Sequence, residues 1–230
     1  MSKLEERIEI ANPQQPHVAT VLLLDTSGSM SGAKIAALNE GLTLFRQDVS
    51  TDDLACKRVD LAVVTFGSSV SVLHDFTSVE DFDPPELAAE GSTPMGAAIL
   101  KAGELVEQRK RQYKAQGTDY YRPWIFLITD GEPTDMQPGD ETWTQVVRVV
   151  HDGEASKKFM FFAVAVEPAN VDVLRQIAPP GRPPVKLKGQ RFKELFQWLS
   201  KSQSAVSASK LGEQVKLENP VAAGWGEIPA

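Results

Sequence analysis

The sequence contains a single cysteine, Cys56, among its 230 residues. One cysteine excludes an intramolecular disulfide and a cysteine-based zinc cluster, and such low cysteine usage favours a reducing compartment. No run approaches the length of about 18 apolar residues that a membrane span requires. The stretch MSKLEERIEIANPQQP mixes acidic with basic residues and lacks the apolar core of a secretory signal. We therefore expect a cytoplasmic protein that does not associate with a membrane.

Positive charge is also scarce. The sequence has 24 lysines and arginines against 31 aspartates and glutamates, which gives a formal net charge of -7. Nucleic acids and anionic lipids are bound through basic surfaces, so we expect neither as a partner. The basic run at residues 109–111 is predicted to be a solvated helix end. The length suits one α/β domain with a full core and is too short for two large domains.

Apolar segments of strand length alternate with helical patterns along the chain. Four segments are almost continuously apolar, as expected for strands covered on both faces: residues 18–25, 59–66, 124–130 and 159–166. Residues 69–76 alternate instead and follow the second strand after only Gly67 and Ser68, which predicts a hairpin with one antiparallel strand at the sheet edge. Apolar stripes at helical spacing begin at Ile35, Met95, Trp143 and Phe192.

This alternation predicts a doubly wound α/β fold with a mostly parallel sheet of about six strands and helices on both faces. The domain is predicted to span residues 18–202. An N-terminal extension precedes it at residues 1–17, and a tail rich in Ser, Ala and Gly follows at residues 203–230. Trp225 gives this tail one large apolar side chain with which to dock on the domain.

Three short polar segments stand where predicted strands end or a helix begins. They are DTSGS at residues 25–29, GSTP at residues 91–94 and TDGE at residues 129–132. Loops that follow the carboxyl ends of parallel strands share one rim of a doubly wound sheet. We therefore expect two carboxylates and three hydroxyls to meet on a solvated rim, namely those of Asp25, Ser27, Ser29, Thr93 and Asp130.

Hard oxygen ligands of this kind suit a small divalent cation better than nucleophilic catalysis. None of the three segments contains a histidine or lysine that could activate a serine, and His17, His74 and His151 lie elsewhere. Mg²⁺ prefers oxygen donors in octahedral geometry and keeps several waters. We expect Mg²⁺, with Mn²⁺ as a substitute and Ca²⁺ weaker because few charged ligands contact the ion directly. Three neutral hydroxyls leave the ion under-neutralised, so an open position would attract an anionic oxygen from outside.

Each part of the set also has a plainer interpretation. Thr93 and Pro94 fit the N-cap and first residue of a helix, and Asp130 with Gly131 fits a turn. The DTSGS segment fits a cap and turn cluster, although Ser31 alone would suffice to cap the helix that follows. Only the combination of the three segments favours a metal site.

Together, the three segments resemble the metal-ion-dependent adhesion site of von Willebrand factor A-type domains. The resemblance rests on DTSGS, on the threonine of GSTPMG and on the aspartate of LITDGEPTD, and it covers the whole predicted domain. It implies a Rossmann-like fold and a non-enzymatic protein-binding role. It also implies that Ser27, Ser29 and Thr93 contact the metal directly, whereas Asp25 and Asp130 bind largely through water. A partner's aspartate or glutamate would complete the coordination.

A narrower resemblance is to the small bacterial stand-alone members of that family that are associated with tellurium resistance. It rests on the short charged N-terminus, on VLLLDTSGSM and on LITDGEPTD. It implies a bacterial stress pathway with a protein kinase or a metal-dependent phosphatase as partner. Some of these relatives carry a C-terminal zinc module, which a single cysteine excludes here, so the tail departs from their pattern.

An enzyme is the competing hypothesis. Phosphatases and phosphotransferases of the haloacid-dehalogenase type also have an aspartate after an apolar first strand and another at a later strand end, which would make Asp25 a nucleophile. That family normally has a second acid two residues further on, where this chain has Ser27, and no lysine stands in a matching role. A structural scaffold with a vestigial site is the third hypothesis.

Overall fold

Strand β1 (Val18–Asp25) lies in the interior of the sheet in this computed structural model, which describes residues 10–228. The first nine residues and the last two lie outside the described range. All eight residues of β1 are buried, which explains why the segment is apolar at nearly every position. Successive side chains face opposite cores, so Leu22 packs into one and Leu23 into the other.

Six further strands within the described residues join β1 in one sheet. They are β2 (Val59–Phe66), β3 (Val70–Ser78), β4 (Trp124–Thr129), β5 (Met160–Ala165), β6 (Val185–Leu187) and β7 (Gly226–Glu227). The strand order is β3-β2-β1-β4-β5-β6-β7. The five inner strands are parallel to one another, whereas β3 and β7 are antiparallel to their neighbours at the two edges.

The predicted α/β fold with a mostly parallel sheet is confirmed, and so is the antiparallel edge strand that follows β2. Sequence patterns did not locate β6 and β7. These strands have three and two residues, which is too short for an alternating or continuously apolar pattern to show. The described sheet therefore has seven strands instead of about six, and β7 gives it a second antiparallel edge.

Helices cover both faces of the sheet. Those of the described residues are α1 (Ala33–Ser50), α2 (Asp53–Arg58), α3 (Met95–Gln116), α4 (Glu141–Ala155), α5 (Val171–Ile177) and α6 (Phe192–Ala208). α1, α2 and α6 pack on the face that contains Leu22, and α3, α4 and α5 pack on the opposite face. The four predicted helical stripes are confirmed as α1, α3, α4 and α6. None of the described helices combines the length and apolar character that a membrane span needs.

The C-terminal segment docks on the domain through Trp225, as predicted. The Trp225 side chain is 1% exposed and packs against Trp198 of α6, with 5.4 Å between the ring centroids. The backbone carbonyl of Trp225 accepts a hydrogen bond from the backbone N–H of Lys188 at 2.9 Å. The predicted boundary at residue 202 falls inside α6, which continues to Ala208.

A buried cluster of charges lies at the opposite end of the sheet from the carboxyl end of β1. Asp60 of β2 accepts hydrogen bonds from Arg109 Nη2 at 2.8 Å and from the Tyr113 hydroxyl, and His17 Nδ1 lies 3.2 Å from the same carboxylate oxygen. Arg109 is 2% exposed, so the predicted solvated helix end is wrong for this residue. The helical spacing of the α3 stripe continues through Arg109 and Tyr113, which directs both side chains into the core.

Candidate metal centre

The predicted site lies where the strand order of the sheet reverses. β1 has β2 on one side and β4 on the other. Asp25 is the last residue of β1, and Asp130 directly follows β4. Leu24 pairs in register with Ile128, so the two aspartates emerge close together at the carboxyl edge of the sheet. Doubly wound sheets form their binding crevices at such switch points.

Asp25 is held by hydrogen bonds to both of its carboxylate oxygens. Oδ1 accepts from the backbone N–H of Ser27 at 2.8 Å, and Oδ2 accepts from the Thr129 hydroxyl at 2.5 Å. The bond to Ser27 is an Asx turn, so the turn interpretation of this segment is correct in part. Burial raises the pKa of the Asp25 carboxyl, and the negative charge of Asp130 adds to the rise, while the bonds from Ser27 and Thr129 oppose it. A cation nearby would stabilise the ionised form.

The two serines lie on a short 3₁₀ turn that follows Asp25. Ser27 precedes this turn (Gly28–Met30) and Ser29 lies within it, and their Oγ atoms are 3.0 Å apart. Ser29 donates its hydroxyl proton to Asp130 Oδ1 at 2.6 Å. Ser27 is then the donor within the pair, which occupies one lone pair of the Ser29 oxygen and leaves the other for a further partner. Ser29 is therefore oriented to offer oxygen to a cation.

Thr93 does not cap α3, contrary to the plainer interpretation. The helix begins at Met95, and Pro94 occupies the cap position without a side-chain hydrogen bond. The Asp135 carboxylate caps the helix instead, because it accepts from the backbone N–H groups of Gly96 at 3.0 Å and Ala97 at 2.8 Å. The Thr93 hydroxyl is therefore not needed for capping.

Glycines allow the three segments to approach one another closely. The backbone N–H of Gly28 donates to the Gly91 carbonyl at 3.0 Å, which joins the DTSGS turn to the loop that carries Thr93. A Cβ atom at Gly131 would lie 3.2 Å from Thr93 Oγ1 and 3.7 Å from Asp25 Oδ2. All five predicted residues are thus brought together at one place, and glycine at position 131 leaves space beside two of their oxygens.

The cluster is more buried than predicted. Asp25 is fully buried, and Ser27, Thr93 and Asp130 are between 2% and 6% exposed, while Ser29 is exposed. The expectation of a solvated rim is therefore wrong for four of the five residues. The cause is the packing of the DTSGS turn against the loop at residues 90–91, which covers the carboxyl end of β1. Ser29 remains as the accessible edge of the cluster.

Lys34 is a member of the cluster that the sequence interpretation missed. It is the second residue of α1, and its ammonium pairs with Asp130 Oδ2. The other oxygen of Asp130 accepts the proton of Ser29, so both oxygens of this carboxylate are engaged. Because Lys34 and Asp130 are 96 positions apart, no local sequence signal indicates the pair.

The arrangement fits a small hard cation that is bound through hydroxyl oxygens as well as carboxylates. Among residues 10–228, no group of three or more His, Cys, Asp and Glu side chains is placed to hold a metal ion. An ion at this rim would therefore depend on the hydroxyls. The two buried carboxylates accept hydrogen bonds from their neighbours, and the oxygen of the buried Ser27 lies beside that of the exposed Ser29. This donor chemistry matches Mg²⁺ or Mn²⁺.

Comparisons with known proteins relate the chain to several relatives. The inter-alpha-trypsin inhibitor heavy chain H4 of Sus scrofa is 28% identical over 142 residues, which are 59% of this chain and 14% of that protein. A von Willebrand factor type A structure from Catenulispora acidiphila is 18% identical with a TM-score of 0.62, covering 83% of this chain and 43% of the other. The manganese-loaded TRAP protein of Plasmodium vivax is 20% identical with a TM-score of 0.54, covering 78% of this chain and 71% of the other.

The two solved structures share the fold of this chain. The chain spans only a small part of the Sus scrofa protein and less than half of the Catenulispora acidiphila structure. The family model of the von Willebrand factor type A domain matches residues 20–197, which is most of the chain. That range begins in β1 and ends in α6, and it contains all three polar segments of the site. The chain therefore belongs to the von Willebrand factor type A domain family.

Proposed function

We propose that this protein is a divalent-metal-dependent binding module that holds a carboxylate of a protein partner. The observation that carries the proposal is the hydroxyl pair of Ser27 and Ser29, 3.0 Å apart, with the Ser29 proton donated to Asp130. Because Ser29 gives its proton to Asp130, Ser27 is the donor within the pair, and each oxygen keeps a lone pair for an ion. Ser29 is the exposed member of this otherwise buried cluster. The ion is Mg²⁺ in this proposal, with Mn²⁺ as a substitute and Ca²⁺ binding more weakly.

In the proposed site, Ser27, Ser29 and Thr93 contact the ion through their hydroxyl oxygens, and Asp25 and Asp130 hold it largely through water. A bound divalent ion supplies a positive charge that an external carboxylate oxygen can approach. The chain's own residues orient the donors: Thr129 and Ser27 fix Asp25, and Asp130 fixes Ser29. The manganese-loaded relative from Plasmodium vivax supports a divalent ion in a domain of this fold.

The proposed partner is inferred from the narrower resemblance of the sequence. The resemblance of VLLLDTSGSM and LITDGEPTD to the stand-alone family members associated with tellurium resistance implies a bacterial stress pathway, with a protein kinase or phosphatase that supplies the Asp or Glu. The single cysteine favours a cytoplasmic location in this proposal. Within the chain, residues 18–202 form the proposed binding domain, flanked by the extension 1–17 and the tail 203–230. The net negative charge argues against nucleic acid and anionic membranes as partners.

The competing phosphatase hypothesis requires Asp25 to attack a substrate, and its environment disfavours this role. Asp25 is fully buried and both of its oxygens accept hydrogen bonds. A lysine does reach the cluster, but the ammonium of Lys34 pairs with Asp130. A phosphatase assay with and without Mg²⁺ tests the competing hypothesis directly, and we expect no metal-dependent turnover.

Affinity capture from a native lysate tests the proposal. Wild-type protein is compared with Asp25→Asn and with Glu132→Gln, an exposed carboxylate two residues from Asp130 that bonds to Asn170 outside the cluster. We expect the partner to be captured by the wild type and the Glu132→Gln control in Mg²⁺, and to be lost in EDTA and in Asp25→Asn. A partner that is captured equally in EDTA and by Asp25→Asn would show that another surface carries the function.

A further inference from the structure

Lys34 occupies an unfavourable position for a cation when only its own helix is considered. It lies in the first turn of α1, where the helix dipole is positive and acidic side chains are favoured. The first turn of α1 contains no acidic residue, and no side chain caps the helix. The position is therefore explained by the partner of Lys34 and not by the helix.

That partner is Asp130 of the proposed metal centre. The Lys34 side chain is 20% exposed, and the Asp130 side chain with which it pairs is fully buried. The ammonium takes one carboxylate oxygen while the Ser29 hydroxyl takes the other. A fixed positive charge of the chain itself thus lies at the carboxylate that is proposed to hold the metal through water.

We propose that Lys34 is an internal counter-ion that weakens metal binding and, in return, preserves a net positive charge at the loaded site for the partner's carboxylate. This inference rests on the proposed function. The ionised pair Asp25 and Asp130 with Lys34 leaves one net negative charge, and a divalent ion changes it to one net positive charge. Without Lys34 the same ion would only neutralise the two carboxylates.

The inference predicts that removing Lys34 shifts two affinities in opposite directions. Metal binding should tighten, because the ion no longer shares Asp130 with an ammonium that repels it. Carboxylate binding to the loaded site should weaken, because the residual positive charge is lost. A lysine that only positions Asp130 would behave differently, since its removal would weaken metal binding.

The first experiment is calorimetric titration of the full chain with Mg²⁺ and with Mn²⁺. We expect Lys34→Met to bind both ions on the order of tenfold more tightly than the wild type, the size expected for a unit charge near a divalent ion in partly solvated surroundings. Lys34→Arg keeps the charge and should bind like the wild type. The matched control is Lys114→Met, an exposed lysine in the last turn of α3, roughly 30 Å along that helix from Thr93; it should leave the affinity unchanged.

The second experiment uses acetate as the carboxylate probe at saturating Mn²⁺, with water proton relaxation to report the waters on the bound ion. Acetate should displace bound water from the wild-type protein and from Lys114→Met, and roughly tenfold more acetate should be needed for Lys34→Met. Circular dichroism of each variant verifies folding, and Lys34→Gln provides a second neutral replacement.

The outcomes separate this inference from the proposed function. A wild-type protein that binds no divalent ion overturns both. A wild-type protein that binds the ion normally, beside Lys34→Met and Lys34→Gln variants that bind it equally or more weakly, overturns the role of Lys34 and leaves the metal site intact. Equal acetate dependence in the wild type and Lys34→Met overturns the charge argument even if metal affinity rises.

Discussion

Replacing Asp25 with asparagine should separate metal binding from folding. Asparagine keeps a carbonyl oxygen that can accept from the backbone N–H of Ser27, and its amide can donate to the Thr129 hydroxyl once that hydroxyl rotates. The change also removes a buried charge whose pKa is raised by burial. We therefore expect Asp25→Asn to lose no more than about 1 kcal/mol of unfolding free energy, the value of one ordinary hydrogen bond.

Metal affinity should respond far more strongly to the same change. Residues that orient the ligands of a metal ion typically change its affinity by about 10- to 100-fold when they are replaced. Asp25 combines this orienting role with a full negative charge next to the proposed ion, so we expect a loss at the upper end, about 100-fold in calorimetry with Mg²⁺.

Asp25→Ala is the informative comparison because it removes the acceptors as well as the charge. The Ser27 N–H and the proton of the Thr129 hydroxyl would both be left buried without an acceptor, at about 1–3 kcal/mol each. Urea unfolding in EDTA should therefore show that alanine lowers the unfolding free energy by about 3 kcal/mol, and asparagine by about 1 kcal/mol or less. The reasoning would be refuted if asparagine bound Mg²⁺ within threefold of the wild type, or if both variants unfolded with equal free energies.

Three further predictions concern other parts of the molecule. Asp60→Asn should cost about 3 kcal/mol in urea unfolding at pH 7 because it leaves Arg109 buried without its carboxylate. Burial alone would raise the pKa of Asp60, but contacts with His17 and Arg109 outweigh it and lower the pKa. The stabilisation that ionised Asp60 gives the wild type is therefore present above about pH 4 and is lost as the pH falls further. The difference in unfolding free energy between the wild type and Asp60→Asn should become smaller in that range. Gly131→Ala should weaken Mg²⁺ binding about tenfold by crowding the Thr93 hydroxyl, with little change in stability, and unchanged calorimetry would contradict this. Trp225→Ala should lower the unfolding free energy by about 3 kcal/mol through lost packing against Trp198, whereas metal affinity should stay at the wild-type value.

Most of the fold was predictable because its main elements carry long, regular patterns. β1 is buried on both faces and is apolar at successive positions, and the stripes of α1, α3, α4 and α6 repeat at helical spacing over 15 to 22 residues. β6 and β7 were not predicted, because a strand of two or three residues is too short to show a repeating pattern. The pairing of β7 also depends on the docked tail, and the position of Trp225 on the domain is a tertiary contact.

The candidate site was predictable as a set of residues but not in its surroundings. Asp25 and Asp130 directly follow neighbouring strands, so topology alone brings them together. The alternative interpretation of Thr93 as a helix cap came from local propensity, since threonine before proline resembles a cap. The cap comes instead from Asp135, which lies 39 positions after Gly96 in the chain. Burial of the cluster depends on how two loops pack, and local sequence carries little information about that.

Arg109 and Lys34 illustrate two different reasons why a charged residue is misjudged from sequence. Arg109 continues the buried stripe of α3, so its burial was implied by helical spacing and was masked only by the basic residues that follow it. Lys34 has no such signal, because its partner Asp130 lies in the loop after β4, 96 positions away. The proposed ligand oxygens of this site thus lie in short local segments, whereas its net charge also depends on a pair of residues that are distant in sequence. If Lys34 acts as proposed, we expect two chains with the same DTSGS and TDGE segments that differ only at residue 34 to differ in metal affinity and in their attraction for a partner carboxylate.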